Sequence, residues 1–427
     1  MTEERLIPPT APAMSGHPRA VALIPHLADL SAGIVAYWLG RGVDRESGGF
    51  HGRLDRKGSP TEPSDKSVVQ QARHLWTWST WGRRRGTAGQ VEEVCRSTYD
   101  LMQSTFLDPT DGLFRYQTTR DGTIVDPTKL LYAQSFAIYG LAAYGVTFRQ
   151  DAALDRALRC FRALDAAAHD GRHGGYDQRN EPHWLTGGAR KDTNTHLHLM
   201  ESFAELLLAT GDALVRQRLG ELVHLICARM LQPEGYVHPS FDADFTPLGA
   251  RTVSYGHDIE TAWLLGEAAR ALGPDAPDVR QAAVTLGGNA AAWGFDSEQG
   301  GLFQQGVPGG EITDREKVWW VQFEALPGLF RLYEWTGDAA HLARLERTLD
   351  FIDGPARDAE YGEWYFGVWP DGSVGPRGDH KGEVWKTAYH NLRATLFTED
   401  FIRAWEASGT RQNTLERPTP PNLLESR

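Results

Sequence analysis

The sequence predicts an all-α protein: an (α/α)6 barrel of twelve helices, with short β-hairpins gathered at one mouth. Two features of the 427-residue chain carry this expectation. A glycine- and aromatic-bearing cassette recurs six times, as SGGFHGRLDRKGSP, DGLFRYQTTRDGT, HGGYDQRN, EGYVHPSFDADFTP, GGLFQQGVPGGE and YGEWYFGVWPDGS. Anchored on Phe50, Phe114, Tyr176, Tyr236, Phe303 and Trp364, the copies stand about 60 to 67 residues apart, a period that marks a repeat architecture. Between consecutive cassettes lie two stretches with helical apolar spacing, for example 67–82 with 92–106, 130–147 with 152–167, and 194–209 with 214–230. One further helix precedes the first cassette and one follows the last.

In chain order, residues 1–18 are rich in Pro, Thr and Ala and read as a flexible lead-in. Leu23, Ile24, Leu27, Leu30, Ile34 and Trp38 then keep helical spacing. Each cassette reads as a hairpin, because glycines and an aromatic residue are followed by alternation and a second glycine turn. A helix pair cannot bury both faces alone, so six pairs close most economically into an inner and an outer ring. The apolar stripes at both ends, Val21–Trp38 and Trp385–Trp405, favour closure over an open solenoid with polar caps. One catalytic domain over 19–410 and a flexible tail over 411–427 follow.

Composition narrows the function. A formal charge of −12 with no basic stripe argues against a nucleic-acid partner and leaves a small neutral substrate. No run of about 18 apolar residues and no signal-peptide pattern is apparent, so no membrane span is expected and the location is cytoplasmic. Cys95, Cys160 and Cys227 form no CxxC and read as small core residues.

Polar and aromatic clusters stand at the N-terminal end of each helix that follows a cassette. They hold Arg73; Tyr132; Asn194, His196 and His198; His257 and Glu260; Trp319, Trp320 and Glu324; and Trp385, Lys386, His390 and Arg393. In a closed ring these ends share one mouth, where helix dipoles favour neutral histidines. Two imidazoles across a substrate can take a proton from one face and return it to the other. The proton alpha to a sugar carbonyl leaves only if the oxygen is polarised, which Arg73 can do. Glu260, three residues after His257, is placed to orient that imidazole. Trp319, Trp320, Trp369 and Trp385 offer platforms for sugar rings. His196 and His198 point apart on a helix and are no zinc pair, so neither metal nor cofactor is expected.

RHLW at Arg73–Trp76, YAQSFAIY at Tyr132–Tyr139, NTHLHLMES, SYGHDIETAWLL, WWVQFEAL, GEWYFGVWPDG and WKTAYHNLRA resemble the N-acylglucosamine 2-epimerase superfamily from about residue 20 to 405, nearest its cellobiose and mannose 2-epimerase branch. That resemblance implies an (α/α)6 barrel and metal-free exchange at C2 of an aldose through a cis-enediolate. By motif, His257 and His390 are the acid/base pair with Glu260 behind His257, and His198 with Arg73 binds the carbonyl. Asn194, Tyr132, Trp320, Glu324 and Trp385 form the sugar pocket, with His196 second choice. Ala388 and Leu392 stand where cellobiose epimerases have Pro and Gly, and 177–193 is short, which brings mannose or glucose beside cellobiose as substrate. Aldose–ketose isomerisation, which shares the enediolate, is the alternative. A glycoside hydrolase using Glu260 and Glu324 is a remote one. The chain is expected to act as a monomer or homodimer.

Overall fold

The computed structural model describes residues 17–86, 89–178, 191–273 and 277–415. Among the described residues a six-residue helix at His17–Ala22 is followed by twelve longer ones: α1 Ile24–Arg41, α2 Val68–Arg85, α3 Gln90–Leu101, α4 Leu131–Phe148, α5 Asp151–Ala168, α6 Thr193–Thr210, α7 Ala213–Leu225, α8 Tyr255–Leu272, α9 Pro277–Trp293, α10 Trp319–Thr336, α11 Ala339–Asp353 and α12 Ala388–Leu415. Apart from residues 17 and 18, the expected lead-in lies outside the described residues, as does the tail beyond 415.

The even-numbered helices form an inner ring in which each packs on the next and α12 returns to α2. Burial explains which helices are inner. α4 is buried along nearly its whole length, whereas outer α5 buries one stripe, Ala153, Ala157, Cys160, Phe161, Leu164 and Ala168, and turns its charged face outward. Outer α3 and α7 each finish in a wider π turn, Met102–Phe106 and Ile226–Met230, that leads into the next cassette. Cys95 and Cys160 are buried and Cys227 half-buried, all as free thiols.

Pro18–Arg41 is long and apolar enough, at a mean hydropathy of 1.5, to cross a membrane by length and composition. In the barrel, Leu27, Leu30, Ile34 and Trp38 of this stretch are buried in the core, and α1 packs along α12.

The cassettes are less independent than hairpins. Each strand entering an inner helix pairs with the following cassette: Lys66–Ser67 with Gln117–Thr118, Lys191–Asp192 with Ser240–Phe241, Val253–Ser254 with Gln305–Gly306, and Lys317–Val318 with Gly367–Val368. A bridge between Leu54 and Gly382 joins the first cassette to the last and closes the mouth.

Two recurring devices fasten cassette to helix. The fourth residue of an inner helix reaches back to the cassette backbone. Gln71 accepts from Phe50 N–H at 2.9 Å and donates to its carbonyl at 3.0 Å; Gln134 does the same at Phe114 and Gln322 at Leu302. A lysine before the helix then pairs with a cassette aspartate: Lys66 with Asp44 at 2.9 Å, Lys129 with Asp108 at 3.0 Å, Lys191 with Asp170 at 2.8 Å and Lys317 with Asp296 at 2.7 Å. In the last cassette Lys381 takes Asp358 at 2.9 Å. In the fourth, both partners are replaced together, by Gln232 and Val253. These pairs are buried, so removing one partner strands a charge. Lys317→Ala is expected to lower stability by about 3 kcal/mol in urea unfolding, well beyond an exposed ion pair.

Candidate active site

Side chains in the first two turns of a helix lean toward its N-terminus, so in the inner ring they converge at the mouth. Counted from each helix start, the sixth residues are Arg73, Phe136, His198, Glu260, Glu324 and Arg393, and the third residues of α8 and α12 are His257 and His390. One cavity of about 290 Å³ is lined by Arg73, Tyr132, Asn194, His198, His257, Glu260, Trp319, Trp320, Trp385 and His390, together with Gln304, Val318, Phe366 and Arg377.

Beneath it lies a buried polar layer. Arg393, fully buried, donates to Glu201 and Glu260 and, at 2.6 Å, to Glu324. Each outer carboxylate then grips an imidazole. Glu324 meets His390 Nδ1 at 2.8 Å and accepts from Trp263 Nε1 at 3.1 Å. Glu201 meets His198 Nδ1 at 3.0 Å and accepts from the Tyr389 hydroxyl at 2.7 Å. His257 Nδ1 meets the Ser254 hydroxyl at 2.8 Å. With Nδ1 engaged in each ring, Nε2 is the atom left for a ligand.

Arg73 differs from Arg393. It is 3% exposed, yet no carboxylate pairs with it among the described residues. Its guanidinium donates to the Trp385 carbonyl at 2.8 Å and the Tyr132 hydroxyl at 2.7 Å, and lies 4.4 Å from the centre of the Phe136 ring. A cation held by neutral dipoles and ring faces keeps its field for an incoming oxygen. Trp320 stands between the two histidines, its ring centre 4.9 Å from that of His257 and 5.5 Å from that of His390. Asn194 Oδ1 and Gln304 Oε1 have no donor among the described residues, so each offers an acceptor to a hydroxyl.

Burial sets the protonation states. It holds His390 well below the ordinary imidazole value, with Arg73 and Arg393 adding to the effect. It lowers His257 too, against the opposing pull of Glu260. Burial pushes Glu324 up to about 8, Arg393 only partly opposing it and Glu260 adding repulsion. Burial also works against a charge on Glu201, but Arg393, His198 and Tyr389 outweigh it and bring it down to about 2. Glu260, Glu324 and His390 place one ligand atom each within 4.8 Å of one another, a spacing a metal can use. Arg393 already donates to both of those carboxylates, so the cation at this place is a guanidinium.

Several expectations change. His196 is not in the pocket: it is the fourth residue of α6, its Nε2 accepting from Tyr176 N–H at 3.1 Å and its Nδ1 facing the Asp192 carbonyl at 2.8 Å. Glu324 lies behind His390 instead of facing sugar hydroxyls. Glu260 bonds Arg393, and Ser254 takes the place expected of it beside His257. Lys386 turns away to the carbonyls of Trp364 and His380, and Trp369 is a half-exposed residue outside the cavity. Arg393, Glu201, Tyr389 and Ser254 were not given roles from sequence. The period of the inner helices is the signal that picks out Arg393, which shares the sixth place with Arg73 and His198.

A closed helical ring whose mouth brings two buried imidazoles into one cavity with a buried arginine that no carboxylate meets among the described residues suits acid–base chemistry on a small polar substrate. The chain belongs to the N-acylglucosamine 2-epimerase (GlcNAc 2-epimerase) family, whose family model matches residues 48–394. It is similar to the cellobiose 2-epimerase of Bacteroides fragilis, 32% identical over 385 residues that cover 86% of this chain and 96% of that one. The solved cellobiose 2-epimerase of Spirochaeta thermophila superimposes with a TM-score of 0.84 at 31% identity, covering 92% of this chain and 99% of that one. The D-mannose isomerase of Thermobifida fusca is 25% identical over 319 residues, 67% of this chain and 72% of that one.

The two arginines are expected to part company on substitution. Arg393→Leu leaves buried carboxylates uncompensated and is expected to cost about 3–5 kcal/mol in chemical denaturation. Arg73→Leu removes an unpaired buried charge, so stability stays within about 1 kcal/mol of the parent while activity is lost.

Proposed function

We propose that the protein inverts aldoses at C2 through a cis-enediolate, using its own side chains alone. The observation that carries this reading is the pair of imidazoles of depressed basicity, on different helices, that flank Trp320 in the cavity occupied by Arg73. Arg73 and His198 receive the carbonyl oxygen of the opened sugar and stabilise the charge that grows there. Donors of this kind each contribute about 10²–10³-fold in rate. His257 takes the C2 proton on one face. His390 delivers a proton to the other, and the enediolate collapses to the epimer. Run backward, the two exchange tasks.

Glu324 governs which task His390 performs. Protonated, its carboxyl donates to Nδ1 and leaves a proton on Nε2, so His390 is an acid. Ionised, it accepts from Nδ1–H and leaves Nε2 a base. His257 must be neutral to act as base, and its lowered value keeps it so down to below pH 6.5. Activity starting from one epimer is therefore expected to be bell-shaped in pH. The acid limb falls on the acid side of the ordinary imidazole value, as His257 protonates, and the basic limb near 8, as Glu324 ionises. Glu324→Gln, which cannot ionise, is expected to abolish the basic limb in a kcat/KM profile.

The sugar packs on Trp320, with Asn194 and Tyr132 on its hydroxyls. Trp385, 40% exposed at the rim, stands where that cavity meets a second of about 200 Å³ lined by Leu130, Leu131, Tyr132, Gln178, Asn194 and Thr195. The second space supports a disaccharide such as cellobiose bound by its reducing end, beside mannose and glucose. Residues 179–190 lie outside the described residues. Glu260 and Glu324 are both engaged by Arg393, which speaks against the pair of free carboxylates that glycoside hydrolysis needs. The protein acts as a soluble cytoplasmic enzyme, monomer or homodimer.

Proton NMR in deuterated water with mannose, glucose and cellobiose offered separately tests the proposal. Deuterium at C2 with the epimeric aldose as main product is the expected result. A ketose as main product moves the protein to the aldose–ketose isomerases, the reading that its likeness to a D-mannose isomerase supports. No exchange with any of the three contradicts the proposal.

A further inference from the structure

The last cassette departs from the way the first, third and fifth are fastened. In three cassettes the residue before the lock point is a glycine in the left-handed region: Gly49 at φ 64°, Gly175 at φ 70° and Gly301 at φ 77°. A Cβ there would collide with the lock side chain itself, Gln71, His196 or Gln322. The corresponding residue of the last cassette is Glu363, at φ 56°, a conformation disfavoured for a residue with a Cβ. Its lock partner in α12 is Asn391, a methylene shorter than glutamine. The two departures answer each other, since the shorter amide leaves room for the Glu363 Cβ. Asn391 then donates from Nδ2 to the Glu363 carboxylate at 3.1 Å, where Gln71 and Gln322 each hold both an N–H and a carbonyl of the backbone.

Glu363 is 5% exposed. The charges around it are those of Lys386, Lys381 and Arg357, and Tyr37 and Trp38 of α1 lie against it. Strain and a buried carboxyl are poor choices for holding a turn that an amide holds elsewhere without either. What sets this turn apart is its cargo: the residue before Asn391 is His390. Whatever fixes Asn391 fixes the first turn of α12, and with it the aim of the imidazole at the cavity and its contact with Glu324.

We infer that Glu363 is a positioning residue for the reaction: through Asn391 it sets the first turn of α12 and so the placement of His390. This rests on the role proposed above for His390. Glu363 touches no substrate, so its loss acts on kcat and leaves binding alone. A misplacement of about 1 Å at a reacting group is enough to cost a hundred-fold.

The test compares three variants by thermal melting, kcat, KM and deuterium exchange at C2. Glu363→Gly is expected to lower kcat about ten-fold with KM within about two-fold of the parent. Glu363→Gln keeps an acceptor for Asn391 and is expected to stay within about three-fold of the parent in kcat. Adding Asn391→Gln to Glu363→Gly rebuilds the lock of the first and fifth cassettes, and is expected to restore kcat to within about three-fold even where the loss of the carboxylate beside Lys386 lowers Tm. Parent-like kcat in Glu363→Gly overturns the inference, as does a double variant that melts like the parent but stays slow. Should Glu363→Gly alone fail to fold, the double variant and Glu363→Gln decide it by the same criteria. A parent that exchanges nothing at C2 overturns the epimerase reading itself, and is distinguished by coming before any variant is compared.

Discussion

One guanidinium buried among three carboxylates fixes the chemistry of the barrel mouth. Arg393 cannot be solvated where it sits, and neither can Glu201, Glu260 or Glu324, so each is held by the others. With one cation to three potential anions, the layer cannot carry full charge on every carboxyl. Glu201, nearest to compensation, stays ionised and holds His198, whereas burial makes Glu324, which meets His390 Nδ1, resist ionisation. Arg73, close by but outside the layer, meets no carboxylate among the described residues and is the cation available to a ligand.

The repeat makes such a layer affordable. Six helix starts are pinned by lysine–aspartate pairs or backbone locks, so side chains at the second, third and sixth places project into one volume with little freedom left to lose. The pins lie at the cassettes and the chemistry lies a turn deeper. The fold can therefore vary the sixth place from arginine to phenylalanine, histidine or glutamate without touching the fastening. The exceptions are instructive. The α8 and α12 helices, which carry His257 and His390, are the ones whose fourth residue is short, Asp258 or Asn391, in place of glutamine or histidine.

The architecture was legible because it is written in a period. Twelve apolar-striped segments and six glycine–aromatic cassettes admit few closed arrangements, and the convergence of helix starts follows from closure. Arg73, Tyr132, Asn194, His198, His257, Glu260, Trp320, Trp385 and His390 accordingly fall on one cavity. The layer beneath was not legible, because its contacts span 133 residues from Arg393 to Glu260 and 192 to Glu201, and no local pattern encodes them. His196 and His198 look alike in sequence, but two residues on a helix is more than half a turn, so one faces the cassette and the other the cavity. Glu260 has the right spacing to serve His257, yet a buried arginine is the stronger partner for a carboxylate.

The account stands on two imidazoles working on opposite faces of one carbon. Its most direct test is deuterium wash-in at C2 measured separately for His257→Asn and His390→Asn, starting from each epimer in turn. Both variants are expected to lose epimerisation, while each still exchanges the C2 hydrogen of the one epimer whose proton its remaining histidine reaches, and the two variants favour opposite epimers. Exchange of both epimers by one variant, or loss of all exchange in both, would contradict a division of labour between the two histidines.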